Sequence, residues 1–315
     1  MSGEPTPELS GVVVHWHNRS QLRRLVDAWP RTPRFELIVV DNCGSAEGDL
    51  PGWVRRIAPG RNLGFAGGAN RGIASARAPA VLLLNPDARP KPGALDRLVA
   101  SLAAHPDAAG VVPRLIGPAG DSQHRWQLRP LPRPWELLLH AFFVPVPRGA
   151  ERPPERGAAI EQPAAAALAL RRSALEEVGG FDEGFFPAWF EDVDLARRLA
   201  RRGARLVYEP SAELVHEGGA SLAELGYDRF LWIYYRNLTR YLRLHHGRPW
   251  ACLARALVPL GMALRLGLLP LRRPRRADSR VVAAAGLAVA AAGALSGWRL
   301  PARCAAFATS PGEQP

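Results

Sequence analysis

The feature that most narrows the possible folds is an alternation of apolar, β-branched runs with amphipathic stretches over the first 115 residues. "GVVVHW" (11–16), "FELIVVDN" (35–42), "AVLLLNPD" (80–87) and "AGVVPRLI" (109–116) read as strands, with "WVRRIA" (53–58) a short further one. Between them "NRSQLRRLVDAW", "NLGFAGGANRGIASAR" and "PGALDRLVASLAAHP" carry helical spacing, the first with Asn18 or Ser20 as its cap. Strands separated by helices of this length build βαβ units, so the expected fold class is α/β, a mostly parallel sheet with helices on both faces.

Beyond residue 116 the pattern loosens. Residues 117–157 are rich in Pro, Arg and Trp and read as an irregular surface excursion. Order resumes in "AAAALALRRSALEEVGGFDE", then in an aromatic loop and helix, "FFPAWFEDVDLARRLARRG". "ARLVYEP" reads as a last strand that stops at Pro210, with "AELVHEGGAS" after it.

Charge separates the ends of the chain. The formal net charge is +12, but residues 229–280 hold twelve arginines and one acid, Asp278, so +11 of it lies there. The same region is rich in Leu, Ala and Trp, which points to a membrane surface rather than to nucleic acid. "ACLARALVPLGMALRLGLLPL" carries Arg255 and Arg265 within about 80° on an ideal helix, a basic edge at headgroup level. "VVAAAGLAVAAAGALSGW" (281–298) has 18 uncharged residues and suits an interfacial or re-entrant helix; a span, or helices packed back on the rest of the chain, are the alternatives. The expected organisation is a loose tail at 1–9, an α/β domain at 10–246 and a helical basic and apolar appendage at 247–315. Cys43, Cys252 and Cys304 are too scattered for a disulfide framework, and no basic-then-apolar leader opens the chain, which suits a reducing compartment.

In open parallel sheets ligands bind beyond the carboxyl ends of the strands. Asp41 and Asp87 stand there, the latter behind a strand-ending Asn85-Pro86 pair; strand followed by turn is the structural alternative for each. "EDVD" sets Glu191, Asp192 and Asp194 at a helix start, where the helix dipole alone favours acids. The preceding Phe185, Phe186, Trp189 and Phe190 add a sheltered pocket in which a carboxylate can serve as general base. His216 follows the last strand, where a packing role is the plain reading. Gly64, Gly67, Gly68 and Gly72 match neither a dinucleotide fingerprint nor a P-loop; they allow a helix start to approach a ligand or a neighbouring strand closely.

Taken in order, "VVDN" (39–42), "RNLGFAGGANRG" (61–72), "LLNPDA" (83–88), "GGFDEGFF" (179–186), "EDVDLARRL" (191–199) and His216 resemble glycosyltransferase family 2, in its rhamnosyltransferase-like branch. The resemblance implies a GT-A fold, one Rossmann-like domain holding a nucleotide-sugar donor, a divalent metal and an acceptor. It implies that Asp41 and Asn42, Arg61 and Asn62, Gly67 and Asn85 serve the donor, with Asp41 on its base. It implies Asp87 and His216 as ligands of Mg2+ or Mn2+, and Asp192 as catalytic base. Glu191, Asp194 and Trp189 are left to position the acceptor or shape its pocket. Asn85-Pro86-Asp87 replaces the Asp-x-Asp of many members; one carboxylate suffices because magnesium takes much of its shell from water and phosphate. The run "QPAAAALALRR" departs from a Gly-Ala pair usual near the donor sugar, which puts close backbone approach in doubt.

The implied activity is inverting transfer of a sugar, rhamnose as first guess, from a dTDP or UDP carrier to a glycan or lipid-linked acceptor. That activity belongs to cell-surface polysaccharide synthesis at the cytoplasmic face of the membrane, with the protein peripherally attached. A sugar-nucleotide pyrophosphorylase would want glycines after the first strand, where "VVVHWHNRSQ" has none. A donor-binding scaffold without activity is the rival from another class.

Overall fold

A strand with no polar residue over five positions must be covered on both faces, and residues 80–84 are buried at every position. The computed structural model describes residues 5–17, 19–46, 48–142, 149–218, 225–271, 274 and 277–298. Residues 1–4 of the expected tail, Asn18, residues 143–148, Gly219 and residues 299–315 of the expected appendage lie outside the described residues.

Along the chain the elements are β1 (Leu9–His15), α1 (Arg19–Ala28), β2 (Phe35–Asp41), β3 (Arg55–Ile57), α2 (Gly64–Ser75), β4 (Ala80–Leu84), β5 (Ala88–Pro90), α3 (Ala94–Ala104) and β6 (Ala108–Ile116). There follow α4 (His124–Gln127), β7 (Leu128–Arg129), α5 (Pro134–Leu139), β8 (Gln162–Pro163), β9 (Ala167–Arg171), α6 (Arg172–Glu177), α7 (Glu191–Arg201) and β10 (Arg205–His216). Three longer helices close the series: α8 (Tyr227–His246), α9 (Arg248–Gly267) and α10 (Arg280–Ser296). The chain divides into two compact units, Met1–Leu131 with Arg148–Glu183 and Glu191–Ala220, and Pro132–Pro147 with Gly184–Phe190 and Ser221–Pro315.

The first unit is built on an eight-stranded sheet in the order β3-β2-β1-β4-β9-β6-β10-β5. β1, β2, β3 and β4 run parallel, as do β6 and β10, while β9 enters antiparallel between β4 and β6 and β5 lies antiparallel on β10. Alternate side chains serve two cores. Val13, Leu82, Leu84 and Val111 pack with Leu22, Leu25 and Leu98 of α1 and α3. Val12, Val81, Leu83 and Val112 pack with Ala69, Ile73, Leu175, Leu195 and Leu199 of α2, α6 and α7. The two-residue period of the strands therefore places helices on both faces, as the sequence pattern predicts.

The structure differs from the sequence reading at two places near the sheet edge. The last strand does not stop at Pro210. It runs on to His216, because a register shift against β6 between Glu209 and Glu213 takes the proline out of the ladder, and Ser211 turns its N–H and hydroxyl to Glu209. The excursion at 117–157 is also not wholly irregular: it contributes α4, α5 and β7, which pairs with β8, and Gln127 of α4 is buried against β6.

The second unit holds α5, α8, α9 and α10. α10 meets α8 through small residues, since a side chain at Gly286 or Gly293 would collide with Tyr227 or Trp232. Arg255 and Arg265, the expected basic edge, also bond within the unit. Arg255 donates to Ala294 O at 3.1 Å and Arg265 to His140 O at 2.5 Å, so both satisfy carbonyls inside the unit.

Candidate functional site

β10 lies beside β5 with His216 opposite Ala88, which brings the imidazole next to the carboxylate that precedes β5. His216 Nε2 stands 3.5 Å from Asp87 Oδ1, and the two residues are 4% and 8% exposed. Asp87 Oδ2 accepts from the Gly218 N–H at 3.1 Å, and the Glu217 N–H donates to Asp87 O at 3.1 Å. Glu217 is held at the rim by Arg24 and Arg89, at 2.6 and 2.7 Å, and the Arg24 bond foremost keeps its carboxyl below the ordinary range. Burial lowers the His216 pKa more than the Asp87 and Glu217 charges raise it, so the ring is neutral near pH 7.

This donor set fits a divalent cation. A neutral imidazole nitrogen and a carboxylate oxygen face each other at a separation too long for a strong hydrogen bond, and a shared cation would relieve the opposition of two electron-rich atoms. One nitrogen ligand suits manganese somewhat better than magnesium. His15, Asp41 and Cys43 form another group whose ligand-type atoms lie within 4.8 Å of one another. It is the poorer site for a hard cation. Arg56 Nη2 lies 3.0 Å from Asp41 Oδ2, a thiol prefers softer metals, and Ser45 Oγ already stands 3.0 Å from both His15 Nε2 and Cys43 Sγ.

Asp41 ends β2 with its side chain fully buried. Its Oδ2 accepts from the Ala46 N–H at 3.0 Å and from Arg56 Nε at 3.1 Å, while among the described residues Oδ1 meets only the Cys43 thiol at 3.6 Å. Oδ1 is thus the oxygen with spare accepting capacity. Asn42 ties the next segment to the sheet: its amide donates to Gly64 O at 2.9 Å and its carbonyl accepts from Leu63 N at 3.4 Å. Asn62 Oδ1 accepts from Gly64 N at 2.8 Å, and Arg61 beside it is exposed. The glycines resolve into different tasks. Gly68 and Gly72 face Val14 and Val12 of β1, so they bring α2 close to the strand, whereas Gly67 faces Leu63 and Glu183. Asn85 N donates to Ala166 O at 3.0 Å and Asn85 O accepts from Ala88 N, which closes the turn that presents Asp87.

At the start of α7 the three acids part company. Glu191 is 7% exposed, and its Oε2 has no hydrogen-bond partner among the described residues. Burial first, and the Asp192 charge second, push its pKa well above the ordinary carboxylate range. Asp194 is buried and accepts from Arg198 Nε at 2.8 Å within the helix. Asp192 Oδ1 accepts from the Val193 N–H at 2.8 Å, while Oδ2 is the looser oxygen, 3.5 Å from Gln162 Nε2 and 3.9 Å from Arg129 Nη2, and the side chain is 17% exposed. The segment from Gln162 leads through Ala164, whose N–H donates to Gln127 O, to Ala166 at the Asn85 turn. One short stretch of backbone therefore connects the surroundings of Asp192 with those of Asp87. Ala164, Ala165 and Ala166, the departure seen in the sequence, are all buried there.

Trp189 belongs to the second unit. It and Phe190 are left-handed, with φ of 70° and 72°, a conformation unfavourable for aromatic residues. Asn237 of α8 stabilises the turn by donating to Ala188 O and Trp189 O at 2.8 and 3.2 Å, Arg236 donates to Phe186 O at 3.1 Å, and Phe230 packs edge-on to Trp189 at 5.1 Å.

Sequence reasoning did not identify Gln123, Trp126, Gln162, Arg129 or Arg56 at this site. Gln123 Oε1 lies 2.8 Å from His216 Nδ1, and the Trp126 ring stacks on the imidazole at 5.2 Å with the planes 13° apart. Both sit in the excursion that reads as irregular, and no local pattern marks them.

Residues 12–179 match the family described as glycosyl transferase family 2. An N-acetylglucosaminyl-diphospho-decaprenol L-rhamnosyltransferase of Mycobacterium tuberculosis is 31% identical over 253 residues, covering 73% of this chain and 80% of that protein. A pre-mycofactocin glycosyltransferase of the same organism is also 31% identical, over 71% of this chain, but the chain spans only 45% of its length. Among solved structures, a mannosyltransferase from Pyrobaculum calidifontis in complex with GDP-Man and Mn2+ superposes with a TM-score of 0.51 and 16% identity, covering 94% of this chain and 89% of that one. GalNAc-T7 with UDP, GalNAc and Mn2+ superposes at 0.52 and 17% identity over 76% of this chain and 48% of its own. At such identities the two structures establish the fold alone: the curled, mostly parallel sheet is a GT-A fold.

Proposed function

The chain belongs to glycosyl transferase family 2, in its rhamnosyltransferase-like branch, and on that premise we propose that it is a metal-dependent inverting glycosyltransferase. It moves a sugar, rhamnose in our reading, from a dTDP or UDP carrier to a hydroxyl of a lipid-linked or glycan acceptor in cell-surface polysaccharide synthesis. The observation that carries this reading is the Asp87–His216 pair at the sheet edge, connected through Gln162–Ala166 to the half-free carboxylate of Asp192, whose Oδ2 has only long contacts. The M. tuberculosis relative, named for rhamnosyl transfer to a diphospho-decaprenol-linked sugar, supports the donor and acceptor classes.

Asp87 and His216 would hold Mg2+ or Mn2+, and such a cation would supply positive charge for the departing diphosphate. Asp41 receives the base of the donor through Oδ1, with Arg61, Asn62, Gly67 and Asn85 along the nucleotide and Asn42 keeping their segment in place. Asp192 Oδ2 removes the proton of the acceptor hydroxyl as that oxygen bonds to the anomeric carbon. The bond from that carbon to the diphosphate oxygen breaks on the opposite side, which inverts the centre. Glu191 shapes the acceptor pocket. Asp194, bonded to Arg198, holds α7 in form.

Residues 10–246 carry the catalysis and 247–315 attach the protein to the cytoplasmic face of the membrane. α9 is long and apolar enough to cross a bilayer by length and composition alone, a weak signal in itself. Its exposed residues include Leu253, Leu260 and Leu264, Leu271 stands exposed just beyond its end, and the basic sequence "RRPRR" (272–276) comes next, a combination suited to lying on an anionic surface. The test of the catalytic reading is transfer from dTDP-rhamnose to a polyprenyl-diphosphate-linked N-acetylglucosamine. Asp192→Asn lowers turnover by roughly 10²–10⁴ while the donor still binds; undiminished turnover contradicts the base assignment.

A further inference from the structure

Gln123 meets His216 twice. Its Nε2 donates to the His216 backbone carbonyl at 2.8 Å, and its Oε1 lies 2.8 Å from the ring nitrogen Nδ1. The carbonyl can only accept, so the first contact identifies which end of the amide is nitrogen. The other end is then an oxygen, which also can only accept, and Nδ1 must carry a proton to bond with it. In the neutral ring this leaves the lone pair on Nε2, the atom that faces Asp87 Oδ1 at 3.5 Å.

The surroundings keep this geometry from drifting. Gln123 N donates to Leu115 O of β6 at 3.0 Å, and Gln123 O accepts from Trp126 N and Gln127 N at 3.0 and 2.9 Å. Gln127 is fully buried, donating to Pro113 O at 2.6 Å and accepting from Leu115 N at 3.0 Å. α4 is therefore fastened to the sheet at both ends. One turn of it delivers Gln123 to the edge of the imidazole and Trp126 to its face.

We propose that Gln123 is a positioning residue that locks His216 in the Nδ1–H tautomer and so presents Nε2, beside Asp87, as a ready cation ligand, while stacked Trp126 fixes the plane of the ring. The inference rests on the metal site of the proposed function. Metal-bound histidines commonly have the second nitrogen held by an acceptor, and loss of that acceptor weakens metal binding about 10- to 100-fold.

The experiment uses the full chain labelled with 15N-histidine, with His216→Gln to assign the resonances. In metal-free wild type, His216 shows the Nδ1–H tautomer; in Gln123→Met that preference is lost. Mn2+ titrated in the presence of dTDP and followed by electron paramagnetic resonance binds Gln123→Met about 10- to 100-fold more weakly. Gln123→Glu restores most of the affinity, because a carboxylate still accepts from Nδ1–H, whereas a role confined to packing α4 gives no such rescue. Near-ultraviolet circular dichroism confirms that both variants fold. An Nε2–H tautomer in wild type, or Gln123→Met that retains both tautomer and Mn2+ affinity, overturns the proposal. If wild type binds no Mn2+ with dTDP, the metal reading fails by itself; the loss or retention of the tautomer in Gln123→Met still decides whether Gln123 sets it.

Discussion

Gly72 lies inside α2, where replacing glycine by alanine ordinarily stabilises a helix by about 1 kcal/mol. Here the sign reverses. A Cβ at residue 72 would overlap Val12 Cγ1 and stand 3.3 Å from Val12 Cγ2 and from Val40 Cγ2. Val12 is 1% exposed, in β1, with strands on both sides, and a β-branched side chain has few rotamers into which to retreat. Forcing a methyl into such a core costs about 1–3 kcal/mol. Set against the helix gain, Gly72→Ala destabilises the protein by up to about 2 kcal/mol, read as a lower urea midpoint with unchanged slope. Val12→Ala made in the Gly72→Ala background costs less than Val12→Ala alone, because the added methyl fills the space the valine leaves. A Gly72→Ala protein as stable as wild type, yet unable to bind nucleotide, refutes the assignment of this glycine to the strand and moves it to the ligand.

Other parts of the fold yield further outcomes. Glu191 holds its proton in the folded chain at pH values where the unfolded chain has lost it, so stability falls as pH rises from the ordinary 4.5 through its raised folded value. Glu191→Gln flattens that decline in a melting-temperature profile from pH 5 to 8; an unchanged profile sinks this reading. Arg56→Met leaves the buried Asp41 carboxylate with Ala46 N–H as its one strong donor, and urea unfolding shows a loss of about 1–3 kcal/mol, moderated because water can reach the space Arg56 vacates. Leu260→Glu with Leu264→Glu, at positions 59% and 46% exposed, lowers partitioning onto anionic liposomes roughly tenfold or more with little change in melting temperature; equal partitioning removes α9 as the membrane contact.

What the sequence makes legible here depends on whether the signal is local. β4 is an unbroken apolar run, β1 and β2 are built on the apolar stretches VVV and LIVV, and the order of strand and helix is enough for a parallel α/β sheet. The antiparallel entry of β9 between β4 and β6 is a choice of distant partners, and nothing within "ALALR" encodes it. Pro210 reads as a strand stop because it lacks a donor; the bulge that carries β10 past it is a property of the pair, not of the strand. Arg255 and Arg265 suggest a charged edge by their spacing, while the distant carbonyls they also bond leave no trace in the local sequence. At the candidate site the acids stand out because strand ends and helix starts are visible in one dimension. Gln123 and Trp126 do not, since an amide and an indole gain their significance only from the imidazole folded against them.

The central claim is that Asp87 and His216 together hold a divalent cation that the donor's diphosphate requires. Thermal shift with dTDP or UDP, with and without Mn2+, tests it directly in wild type, Asp87→Asn and His216→Ala. The expected result is that nucleotide at about 100 times its dissociation constant stabilises wild type by about 2.7 kcal/mol only when Mn2+ is present, and that each variant loses that increment. A nucleotide-induced shift of equal size in the presence of chelator, retained in both variants, would contradict it.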